Sequence, residues 1–132
     1  MAEIDLHIRH FILANDFDID FNASTFTAID IYEYISASQY PSYFNLKGML
    51  GICFLTPHKP YKIEVDIMQE DESLGKWVFN DVITNKENDI MNINLNTDGR
   101  LNILHEGFIH FVVKVNDQVV GTQVVKVVRE EV

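Results

Sequence analysis

Residues 107 to 128 read GFIHFVVKVNDQVVGTQVVKVV, with apolar and polar positions alternating on both sides of Asn116-Asp117. A period of two places alternate side chains on one face of a β-strand. Asn and Asp tolerate the positive φ of a two-residue turn, so this stretch predicts a closing hairpin with Ile109, Phe111, Val113 and Val115 inward. The same alternation recurs upstream. Ile4, Leu6, Ile8 and Ile12 alternate with Asp5, His7 and Arg9 as a half-buried first strand. Residues 15–25 are polar and acidic, broken by Phe17, Ile19 and Phe21, and predict a loop or short edge piece. A second strand is expected over 26–37, with Ile29, Ile31 and Ile35 on one face and Asp30, Tyr32 and Tyr34 on the other.

Residues 38–45, with Pro41, predict a loop. Residues 46–55 are apolar on both faces, the pattern of a central strand covered twice or placed in a subunit contact. Two prolines make 56–60 a turn. Tyr61, Ile63, Val65 and Ile67 then alternate cleanly with Lys62, Glu64 and Asp66. An acidic turn over 69–75 leads to a strand carrying Trp77 and Phe79, and a short strand follows with Met91, Ile93 and Leu95 inward. The sum is seven or eight strands and no stripe of helical period. It predicts an all-β fold, an antiparallel two-sheet sandwich with Greek-key connections.

Length adds that 132 residues make one domain, 1–132, with room for a proper core. The longest fully apolar run, residues 49–55, is far short of a spanning helix. The amino terminus has Glu3 and Asp5 where a secretion signal carries basic residues, which implies a cytoplasmic setting. The single Cys53, between Ile52 and Phe54, is expected as a buried, inert thiol. Net charge is −10, a surface that repels phosphate backbones and anionic lipid. The expectation is therefore no nucleic acid and no membrane.

Candidate chemistry is sparse. Asp16, Asp18 and Asp20 echo the start of a calcium loop, but Phe21 stands where its glycine belongs and Thr27 where its glutamate belongs. Glu70, Asp71, Glu72, Asp81, Asp89 and Asp98 lie near strand ends, where C2-type sandwiches gather carboxylates around calcium. His7, His10, His58, His105 and His110 form no metal motif. There is no nucleophile elbow and no glycine-rich phosphate loop. The reading is no enzyme and no cofactor.

The segments LKGMLGICF at 46–54, YKIEVDIMQED at 61–71 and GFIHFVVKVNDQ at 107–118, in that order, resemble an uncharacterised bacterial and phage family of small C2-like or immunoglobulin-like sandwiches. The resemblance covers residues 26–128 and implies a fold and a bacterial or phage setting, but no functional residues.

Two functions follow as expectations. The first is a non-catalytic protein-binding or assembly module, with a protein partner or a homo-oligomer, a dimer being favoured. Its interaction surface is expected at Tyr32, Tyr34, Met49 and Cys53, because a two-sided apolar strand and exposed tyrosines mark contact surfaces. The second is a ligand-binding sandwich, holding carbohydrate on Tyr32 and Tyr34 or calcium on the loop carboxylates.

Overall fold

A computed structural model describes residues 7–20, 22–23, 25–53, 55–85 and 90–130, with the side chain of His7 outside the description. The described chain is all β. In order, its strands are β1 (His7–Asp20), β2 (Thr25–Ile31), β3 (Tyr34–Ala37), β4 (Ser42–Phe44), β5 (Lys47–Cys53), β6 (Tyr61–Gln69), β7 (Glu72–Val82), β8 (Met91–Asn96), β9 (Leu101–Ile103), β10 (Gly107–Val115) and β11 (Gln118–Arg129). They form a four-stranded sheet, β2-β1-β5-β8, a five-stranded sheet, β3-β11-β10-β6-β7, and the small pair β4-β9. Among the described residues no helix is long and apolar enough to cross a membrane.

Periodicity explains the elements that match expectation. In β10, Ile109, Phe111, Val113 and Val115 are buried, and in β6 so are Tyr61, Ile63, Val65 and Ile67. These inward rows meet Phe11 and Leu13 of β1, Leu50 and Ile52 of β5, and Ile93 and Leu95 of β8 in one core cluster. Phe111 sits at its centre, fully buried. Its ring lies 5.5 Å from Phe11 of the other sheet and 6.5 Å from Trp77 of its own. The β10–β11 turn has φ of 49° at Asn116 and 67° at Asp117, the left-handed pair a two-residue hairpin turn requires.

The structure departs from the expected layout in several places. There are eleven described strands, not seven or eight, because β3, β4 and β9 are too short to show a period. Residues 15–25 hold no long loop. β1 runs on to Asp20 and pairs with β2 in one register, from Ala14↔Ile31 to Asp20↔Thr25. The strand expected over 26–37 is two strands in two sheets, with the crossing at Tyr32-Glu33. Pairing is antiparallel except between β3 and β11, which run parallel. Ile4, Leu6, Phe21 and Asp89 lie outside the described residues.

Gln69, assigned by pattern to a turn, is a buried end of β6. Its amide donates to the His105 carbonyl (2.7 Å) and accepts from the Leu104 N–H (3.0 Å), so one side chain satisfies a short loop that no strand pairs.

Deleting the Phe111 ring leaves a void between two sheets that cannot close independently. Phe111→Ala is expected to cost about 3–5 kcal/mol, read as a lowered midpoint of urea unfolding.

Candidate functional site

Strand β5 organises one side of the molecule. Leu50 and Ile52 point into the core, so Met49 and Gly51 point to the opposite face of the four-stranded sheet. Met49 is nevertheless only 2 % exposed. The cover comes from the chain itself. Phe26 of β2 pairs with Ile19, nine residues along β1 from His10, a distance of about 30 Å in a straight strand. Yet the Phe26 ring lies 5.2 Å from the His10 ring and 6.1 Å from Phe17. β1 therefore coils, and the β1–β2 arm brings Phe26 back beside His10.

His10 stands directly over Gly51, its partner in the β1–β5 register. A Cβ at residue 51 would collide with the imidazole, so only glycine admits the ring there. Arg9 Nη1 lies 3.1 Å from His10 Nδ1, which makes Nδ1 the acceptor and leaves the proton on Nε2. Nε2 is buried with no hydrogen-bond partner among the described residues. Burial lowers the His10 pKa from its ordinary 6.5, the Arg9 charge adds to this, and the Asn92 amide opposes it.

Beside this cluster Asp16, Phe17, Lys47, Asn94 and Asn96 line a cavity of about 270 Å³. Lys47 and Asp16 pair across it at 3.2 Å. β8 sets Asn92, Asn94 and Asn96 opposite Gly51, Met49 and Lys47, all three amides exposed on the outer face.

The outer face of the five-stranded sheet is different. Tyr34, Lys126 and Phe108 are neighbours across β3, β11 and β10, and the next row is Val124, His110 and Met68. Tyr34 is 52 % exposed, Phe108 54 % and Val124 47 %. They form a contiguous apolar patch around one ammonium.

The four residues expected at an interaction surface are thus separated. Only Tyr34 lies on an open face. Tyr32 is half-buried against the core and its N–H donates to the Leu13 carbonyl at 2.9 Å. Met49 is enclosed, and Cys53 is half-buried at the end of β5. The two tyrosines do not share a face, because the chain changes sheets between them. Among the described residues no three His, Cys, Asp or Glu side chains gather as a metal site. Phe108 and Val124 escaped notice although the hairpin alternation already pointed both outward. Phe17 and the β8 asparagines gave no such signal, since their grouping depends on the coiling of β1.

No protein-family model matches the chain, and no curated protein is detectably similar to it. Among solved structures it is similar to the Pseudomonas fluorescens alkylpurine DNA glycosylase AlkC bound to DNA containing an abasic site analogue, with TM-score 0.55 and 11 % identity. The match covers 96 % of this chain and 31 % of that one, so the chain spans less than a third of the glycosylase's length. At this identity the likeness is one of fold. It corrects the exclusion of nucleic acid, because a protein that includes this fold is seen on DNA. Net charge is a sum over the surface, whereas a contact is governed by the local field.

Two predictions follow from the His10 cluster. Gly51→Ala is expected to cost about 1–3 kcal/mol by overpacking. In a double-mutant cycle with His10→Ala much of that cost disappears, since the ring is what the methyl meets. The second concerns pH. The folded-state pKa of His10 lies below the unfolded one, so the unfolded state binds the proton more readily. Its contribution is complete above pH 6.5 and is lost as pH falls through the folded-state value. The thermal midpoint should fall over that window, and His10→Gln should flatten the fall.

Proposed function

We propose that this chain is a non-catalytic binding module, a two-sheet sandwich of immunoglobulin-like or C2-like form with Greek-key connections, that docks a protein partner on the outer face of its five-stranded sheet. The observation that carries the reading is the contiguous patch of Tyr34, Phe108 and Val124 around Lys126. Exposed apolar area of this kind, rimmed by polar residues, is characteristic of interaction sites. Aromatic residues are enriched at the centres of interfaces, where each buries much area for little conformational entropy. The partner it fits offers an apolar side chain to Phe108 and Val124 and a carboxylate to Lys126. A second reading, contact with nucleic acid through the same sandwich, has the likeness to that DNA-bound protein in its favour.

The test is reconstitution. A partner recovered by in-cell crosslinking from position 108 is purified and titrated against the wild-type chain, Phe108→Ser and Val124→Ser. Truncation of a central anchor is expected to weaken binding at least tenfold, a loss of about 1.4 kcal/mol or more. Equal affinity for all three proteins would reject the patch. Binding of a DNA duplex with steep salt dependence, and of no protein, would favour the second reading.

A further inference from the structure

The groove on the other sheet has a chemistry distinct from the apolar patch. Asn92, Asn94 and Asn96 stand in a row on the exposed face of β8, about 7 Å apart, as alternate residues of a strand must. Each amide carries a donor and an acceptor in one plane. Asn96 uses its Oδ1 to accept the Asp98 N–H at 2.9 Å, leaving its NH₂ as a donor, and its main-chain carbonyl is held by Trp77 Nε1 at 3.0 Å. That end of the strand is therefore fixed before any ligand arrives. Asp16 and Phe17 line the same cavity of about 270 Å³, the one bringing carboxylate acceptors and the other an aromatic residue. The one cation lining it, Lys47, is already paired with Asp16.

We propose that this groove binds a neutral carbohydrate. Sugar hydroxyls are donors and acceptors at once, the complement of side-chain amides and a carboxylate. The C–H face of a pyranose is apolar and flat enough to lie on the Phe17 ring. A phosphate backbone gains most of its affinity from unpaired cations, and the only lysine in the lining is neutralised. The tyrosine pair expected to stack on sugars is split between faces, whereas on the other sheet an aromatic residue and hydrogen-bonding groups line one cavity.

The test is titration of the ¹⁵N-labelled full chain with neutral oligosaccharides of glucose, galactose, mannose and N-acetylglucosamine, followed by NMR. The expected result is a shift of the Lys47, Asn94 and Asn96 resonances by at least one sugar, with an affinity indifferent to added salt. Asn94→Ala should weaken that binding roughly tenfold without lowering the thermal midpoint, because its side chain is exposed on an edge strand. Phe17→Leu, which keeps an apolar contact but removes the flat ring, serves as the second variant and should also weaken binding. No shift at these residues from any sugar at millimolar concentration overturns the proposal. So does unaltered sugar binding by both variants, or a short single-stranded DNA that alone shifts the groove with salt-sensitive affinity.

Discussion

Everything on one side of this molecule depends on β5 being buried on both faces. A strand with solvent on one face needs apolar side chains only at alternate positions. β5 has Met49, Leu50 and Ile52 close together, separated by Gly48 and Gly51, and all five are buried. One face is covered by the second sheet. On the other, the His10 ring stands over Gly51, and β1 coils until Phe26 returns to His10. Gly51 is the condition for that return, since the imidazole occupies the space a side chain would take. His10, Phe26 and Phe17 cluster there, and because burial lowers the His10 pKa, stability is coupled to pH.

The arm also redistributes the surfaces on offer. With Met49 buried, the apolar face that most suggested a subunit contact is closed. The arm places Asp16 and Phe17 beside Lys47 and the β8 asparagines, so a polar groove appears where the pattern showed an acidic loop and a short strand. The open apolar area lies instead on the second sheet, where Lys126 sits between Tyr34 and Phe108. The two outer faces therefore offer different chemistry, one with an apolar patch around Lys126 and the other with a row of side-chain amides beside the Lys47–Asp16 pair.

The comparison with the glycosylase bears on how charge is used in such arguments. A net charge of −10 describes solubility and long-range repulsion. It does not describe any one contact, since lysines can be gathered on a face while acids populate turns. Here Lys47 and Lys62 are paired with carboxylates, whereas Lys126 lies among apolar neighbours. Partner classes are decided at that scale.

Strong alternation was legible from the chain alone, because a period of two survives any arrangement of sheets. It located β6, β8, β10 and β11, the inward residues of the first three, the Asn116-Asp117 turn and the apolar character of both faces of β5. Short strands were not legible, as three or four residues carry no period. The change of sheet at Tyr32-Glu33 was invisible for a related reason. Ile31 and Ile35 look like one face of one strand, but Asp30 has a left-handed φ of 56°, and the chain crosses the core edge soon after. That crossing separated Tyr32 from Tyr34 and dissolved the expected site. What the sequence determined by itself was the alternation of the long strands, since a side chain's face on a strand depends only on its position in the chain. Which of them cover one another, and hence which polar groups are left side by side at the surface, was decided only by the coiling of β1 and the pairing of distant strands.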